Sequence, residues 1–123
     1  MTQTILIADD EPNIVISLEY LLQRDGYRVV VARDGQEALD AIAASPPDLV
    51  LLDVMLPRVS GYEVCQTIRE NPALAGMRIV MLTAKGRDVE MSKGLALGAN
   101  AYVTKPFSTQ ALLAQVRALL GGA

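Results

Sequence analysis

Five side chains in this sequence are of the kinds that phosphoryl chemistry uses, and each follows a short apolar run. Asp9 and Asp10 come after Ile5-Leu6-Ile7-Ala8, and Asp53 comes after Leu49-Val50-Leu51-Leu52. Thr83 follows Ile79-Val80-Met81-Leu82, and Lys105 follows Ala101-Tyr102-Val103-Thr104. A carboxylate such as Asp53 can act as a nucleophile and form an aspartyl phosphate. Carboxylates gathered within about 5 Å repel by roughly 3 kcal/mol per pair at an effective dielectric near 20, so a fold does not collect them for stability. A hard divalent cation relieves the repulsion, and magnesium takes oxygen ligands while bridging a carboxylate to a phosphoryl group. Thr83 can offer its hydroxyl to one phosphoryl oxygen and Lys105 its ammonium to another. Taken singly, each residue has a plainer reading. Asp9 and Asp10 suit a helix N-terminus, Asp53 suits a turn or cap, Thr83 is a common strand-end residue, and Lys105 is a surface charge. Only their recurrence at the ends of successive apolar runs favours the chemistry.

The elements that position them follow from the apolar pattern. Leu49 to Leu52 run without alternation up to Asp53, with Leu56 and Pro57 beyond, which predicts a strand buried on both faces of a parallel sheet. The carboxyl ends of such strands form the edge where open α/β sheets hold ligands. Four more strands are predicted at Ile5–Ala8, Val29–Ala32, Ile79–Leu82 and Ala101–Thr104. Pro12 opens a helix carrying Ile14, Val15, Leu18, Leu21 and Leu22, and Gly26 stops it. Asp34 and Glu37 make a start resembling a capping box for a second helix, with Ala38, Leu39, Ile42 and Ala43 as its apolar face, ended by Pro46-Pro47. A third helix follows Gly61 with Val64, Cys65 and Ile68, and breaks at Asn71-Pro72. A fourth, about Asp88 to Leu97, is poorly amphipathic and weakened by Gly94. Ser108 caps a fifth, with Leu112, Leu113, Val116, Leu119 and Leu120 on one face. Strands alternating with helices argue a doubly wound α/β fold, a five-stranded parallel sheet with helices on both faces. Right-handed crossovers then bring all strand carboxyl ends to one edge.

Composition narrows the function. The 123 residues suffice for one domain, and 51% hydrophobic with 20% charged residues is an ordinary globular balance. A net charge of −3 gives no general attraction to nucleic acid or to acidic membranes. No apolar run reaches the roughly 18 residues of a membrane span, and the first residues lack the basic start of a signal peptide. The single cysteine, Cys65, excludes an internal disulfide and fits a reducing cytoplasm. With no histidine in the chain, zinc triads and an internal phosphohistidine are excluded.

Asp9-Asp10-Glu11-Pro12, Asp53 followed by Pro57 and Gly61, Thr83-Ala84, and Tyr102 ahead of Lys105-Pro106-Phe107 are specific in combination. On these motifs the chain resembles a receiver domain of bacterial two-component response regulators over essentially its whole length, residues 1–123. Residues 121–123 would then begin a linker or form a free C-terminus. The resemblance implies a flavodoxin-like three-layer fold with strand order 2-1-3-4-5. It implies a signalling switch rather than an enzyme: a phosphoacceptor that assists its own phosphorylation and dephosphorylation. By the same resemblance Asp53 accepts the phosphoryl group, and Asp10 and Asp53 ligate magnesium with the backbone carbonyl of Met55, while Asp9 acts through water. Thr83 and Lys105 contact the phosphoryl group, and Tyr102 is the aromatic that turns inward when Thr83 is drawn to it. The Lys105–Pro106 bond is expected to be cis. The donor would be a histidine kinase or a His-containing phosphotransfer protein, and the responding surface the fourth helix, fifth strand and fifth helix. The domain is expected to be cytoplasmic, to bind no nucleic acid directly, and to be a monomer or a weak phosphorylation-dependent dimer. Members with winged-helix outputs carry acids where this chain has Asn100, Ala101 and Ala111, although Arg117 remains, and their dimer is placed in doubt.

Three other readings compete. A haloacid-dehalogenase-type phosphatase needs a second aspartate two residues after the nucleophile, where this chain has Met55. A flavodoxin-like cofactor binder wants a Ser/Thr/Gly-rich loop after the first strand, where three acids stand. A receiver-like binding module independent of phosphorylation would not need all five site residues.

Overall fold

The computed structural model describes residues 2–84 and 97–121. Five parallel strands form one sheet in the order β2-β1-β3-β4-β5. They are β1 (Thr4–Ala8), β2 (Arg28–Ala32), β3 (Leu49–Asp53), β4 (Arg78–Ala84) and β5 (Ala101–Lys105). The helices are α1 (Pro12–Arg24), α2 (Gly35–Ala44), α3 (Gly61–Glu70) and a C-terminal helix (Thr109–Leu119), with a 3-10 turn at Pro72–Leu74. The expected fourth helix lies outside the described residues apart from Leu97, which is in a turn.

The unbroken apolar strands arise because the sheet is covered on both faces. Ile5, Ile7, Leu49, Leu51, Val80 and Leu82 pack with Val15, Leu18 and Leu22 of α1 and with Leu112, Leu113 and Val116 of the C-terminal helix. Leu6, Ala8, Val50, Leu52, Ile79 and Met81 turn to the other layer, against Ala38 and Ile42 of α2 and Val64, Cys65 and Ile68 of α3. Strand alternation thus sends neighbouring residues to opposite cores.

Local signals set the boundaries. Pro12 stands at the start of α1, and Gly26 takes a positive φ of 95° just past its end. The Asp34 carboxylate accepts from the Glu37 N–H at 2.8 Å, and Glu37 accepts in return from the Arg33 N–H at 3.0 Å. Ser108 accepts from the Ala111 N–H at 3.3 Å.

Three expectations need correction. Ala43 is exposed, and the buried face of α2 is formed by Gly35, Ala38 and Ile42 with Leu39 and Ala41 at its margin. Leu120 lies past the helix end as its C-cap, though still packed on the core. Both β4 and β5 run further than the apolar residues suggest, because Thr83 pairs with Thr104 and Ala84 with Lys105 in the parallel ladder. Backbone pairing continues where side-chain hydrophobicity has stopped.

Candidate functional site

The carboxyl edge of the sheet gathers the predicted acids. Asp9, directly after β1, continues the ladder by donating its N–H to the Ala32 carbonyl at 3.1 Å. Asp53 is the last residue of β3, and the Val54 N–H donates to the Leu82 carbonyl of β4. Asp9, Asp10 and Asp53 each offer a carboxylate oxygen within 4.8 Å of the others. Asp9 and Asp53 are buried, whereas Asp10 is exposed.

Lys105 arrives from β5 and meets three acids. Its Nζ lies 2.7 Å from Glu11 Oε1, 3.0 Å from Asp9 Oδ2 and 3.3 Å from Asp53 Oδ2. Burial by itself would lower the pKa of this amine. Its hydrogen bond to Glu11, its close ion pair with Asp9 and the charge of Asp53 outweigh burial and hold it well above the ordinary lysine value. Lys105 is therefore charged at any physiological pH. Asp53 is displaced too: burial raises its pKa above 3.8, the Met55 N–H and Lys105 pull it down, and the charge of Asp9 adds to the rise. A carboxylate in this position keeps its charge at a cost, which is the condition for welcoming a cation or a covalent electrophile.

The loop beyond Asp53 is tied down by its own backbone. The Met55 N–H donates to Asp53 Oδ1 at 3.1 Å, while the Met55 side chain points into solvent, 60% exposed. Arg58 adopts a φ of 70°, and the Val59 N–H reaches back to the Pro57 carbonyl at 2.8 Å, a strained three-residue turn. Pro57 also accepts from the Gly35 N–H at 3.1 Å, fastening the loop to α2. Gly61 opens α3 against the Asp53 and Val54 backbone, where a Cβ would overlap the Asp53 carbonyl. This close approach accounts for the glycine.

Thr83 is 2% exposed, and its hydroxyl has no hydrogen-bond partner among the described residues. An unsatisfied buried hydroxyl is costly enough to call for an explanation in terms of an absent acceptor. Tyr102, two residues before Thr104 on β5, is half-buried against the layer beneath α2 and α3. The Lys105–Pro106 peptide is cis. The structure thus brings Asp9, Asp10, Asp53 and Lys105 together and leaves Thr83 with a spare donor on the neighbouring strand. The oxygen-only donor set of three carboxylates suits a hard cation such as magnesium.

Sequence reasoning passed over two contributors. Glu11 was visible only as part of an acidic run, and its ion pair with a lysine 94 positions later has no local signature. Asn100, noted as a missing acid, is a structural bridge: its side-chain oxygen accepts from the Ile79 N–H and from Arg69, each at 2.8 Å.

Comparison with known proteins agrees with this geometry. Residues 5–117 match the response regulator receiver domain family. The chain is 47% identical over 120 residues to the alkaline phosphatase synthesis transcriptional regulatory protein PhoP of Bacillus subtilis, covering 98% of this chain and 49% of that protein. It therefore spans about half the length of that curated relative. Among solved structures, a response regulator from Chloroflexus aurantiacus superposes with a TM-score of 0.93 at 38% identity, covering 98% of this chain and 99% of that one. The receiver domain of a sensor histidine kinase from Pseudomonas aeruginosa, described with a magnesium ion coordinated in its active site cleft, gives 0.88 at 30% identity, with 98% and 99% covered.

Proposed function

The chain belongs to the response regulator receiver domains, and we propose that it takes a phosphoryl group on Asp53 from a histidine kinase or a His-containing phosphotransfer protein. The observation that carries this reading is the placement of Asp53. It is a buried carboxylate at the end of a central strand, 3.3 Å from the Lys105 ammonium. In the transfer, an Asp53 oxygen forms the new P–O bond as the P–N bond of phosphohistidine breaks, and the electron pair leaves with the imidazole nitrogen. Lys105 offers its ammonium to one phosphoryl oxygen and Thr83 its unpartnered hydroxyl to another.

Magnesium fits the donor set. Asp10 and Asp53 would hold it with the Met55 carbonyl, and when bound it offsets the charge of the acids and of the incoming phosphoryl group. Asp9 suits a role through water, since one of its oxygens accepts from the Glu11 N–H at 2.9 Å and the other faces Lys105. Tyr102 would follow Thr83 as the switch that reshapes the surface of β5 and the C-terminal helix.

The domain comprises residues 1–123, with 121–123 as the start of a linker or a free end. No helix among the described residues is long and apolar enough to cross a membrane, and we place the domain in the cytoplasm. With Asn100 committed to Ile79 and Arg69, a monomer or weak phosphorylation-dependent dimer is favoured over the charged-pair dimer of winged-helix regulators. The whole protein's output is open to any effector coupled to the switch surface.

Intact-mass analysis after incubation with acetyl phosphate and magnesium tests the assignment. Wild type gains one labile phosphoryl group and Asp53→Asn gains none. Equal uptake by both proteins overturns it.

A further inference from the structure

We propose that Glu11 is a positioning residue that tethers Lys105 in the resting state, so that phosphorylation requires the Glu11–Lys105 contact to be exchanged for one with a phosphoryl oxygen. The inference rests on Asp53 as the phosphoacceptor.

Two independent observations carry it. The first is a cap that is not made. Glu11 is the N-cap of α1, yet its side chain accepts no hydrogen bond from that helix. Asp34, Ser60, Asn71 and Ser108, the caps of the other described helical segments, all accept from the backbone two or three residues on. The Glu11 carboxylate instead reaches across the site to Lys105. Glutamate lacks the short reach of a good N-cap residue, and here its length serves the lysine.

The second is the distribution of contacts around the ammonium. Lysine has three N–H donors, and three carboxylates surround this one. The shortest contact is to Glu11 at 2.7 Å and the longest is to Asp53 at 3.3 Å. A phosphoryl oxygen has to compete with all three for the ammonium, and Glu11 holds it most closely. Asp9 is fully buried, and an unpaired charge there is costly. The Glu11 side chain is 55% exposed and can swing into water at little cost. Its negative charge also opposes an arriving phosphoryl dianion. Glu11 is thus the partner that Lys105 releases.

Glu11→Asp and Glu11→Gln separate a tether from a general field. Aspartate keeps the charge but is one methylene too short for the contact, and it can supply the missing cap, so α1 is not weakened. Two measurements apply in the intact chain: the rate of phosphoryl uptake from acetyl phosphate, and the rate of reductive methylation of the Lys105 amine without any phosphodonor. A tether predicts that both variants phosphorylate about two- to fivefold faster, the range a partly exposed ion pair is worth, and that both expose Lys105 to faster methylation. Wild-type behaviour of Glu11→Asp in either measurement overturns the tether, whatever Glu11→Gln does. If wild type takes up no phosphoryl group, the phosphoacceptor reading fails by itself, and methylation still reports on the tether.

Discussion

Along β3 the chain passes, within five residues, from the driest part of the molecule to its most electrostatically conflicted. Leu49 to Leu52 are completely buried among aliphatic side chains of two layers, and the next residue is a buried carboxylate facing a second one. The interior and the carboxyl edge are built on opposite terms. In the first, every atom removed is a loss of packing. At the second, the fold tolerates like charges because Lys105 partly offsets them, and packing stability is given up. Mutations should therefore change sign between residues two positions apart.

The largest effect is expected in the interior. Leu51→Ala removes a side chain with no solvent exposure from the layer beneath α1 and the C-terminal helix. It should cost about 2–5 kcal/mol in urea denaturation. A loss below about 1 kcal/mol would mean that the central strand is not the anchor described here.

Next in size is the removal of the cation. Lys105→Ala leaves the Asp9 and Asp53 carboxylates facing each other without a counter-charge. A destabilisation of about 2–3 kcal/mol is expected, since breaking a buried pair strands the remaining charges. Adding magnesium should recover part of it, and a melting curve with and without the ion measures how much.

The change of sign is expected at Asp53. Because burial raises its pKa, the folded protein holds this proton more tightly than the unfolded chain does. Its contribution is favourable below the unfolded value of 3.8 and is lost as pH rises through the folded value. Asp53→Asn should therefore melt higher than wild type at pH 7 in chelator. The advantage should vanish as pH falls below 3.8. A destabilised Asp53→Asn at neutral pH would erase the contrast between the two regions.

The smallest effect is that of magnesium on wild type. An ion that binds only the native state at ten times its dissociation constant contributes about 1.4 kcal/mol. Asp10→Asn should remove most of that gain while leaving the melting temperature in chelator equal to or above that of wild type. An unchanged melting temperature on adding millimolar magnesium to wild type would contradict the metal assignment.

The unequal legibility of the two regions has the same physical origin. An unalternating run such as Leu49–Leu52 can be read locally, because burial on both faces leaves its mark on every residue. The stops at Pro12 and Gly26 and the caps at Asp34 and Ser108 are local too. The face of α2 is poorly legible at Ala43 because Gly35, Ala38, Ala41, Ala43 and Ala44 differ little in side chain, so its sequence hardly distinguishes inside from outside. Arg58 gave no sign of a left-handed turn, since that conformation is imposed by the Pro57 carbonyl holding two N–H groups. Glu11 was hidden for a different reason. Its partner is chosen by the arrival of the β1 and β5 carboxyl ends at one edge, which only the assembled sheet reveals.

The 94-residue separation between Glu11 and Lys105 also orders events in time. The three acids of the first strand's loop are made early, Asp53 is made midway, and the cation that reconciles them belongs to the final strand. Until β5 docks beside β4, Asp9 and Asp53 lack the counter-charge of Lys105. Long-range closure of this kind is slow, because its entropy must be spent before any contact rewards it. A chain interrupted before residue 105 would hold the acids of this edge but neither the lysine nor a complete β5. The order in which the site is written along the chain thus leaves an incomplete copy with acids that no Lys105 offsets.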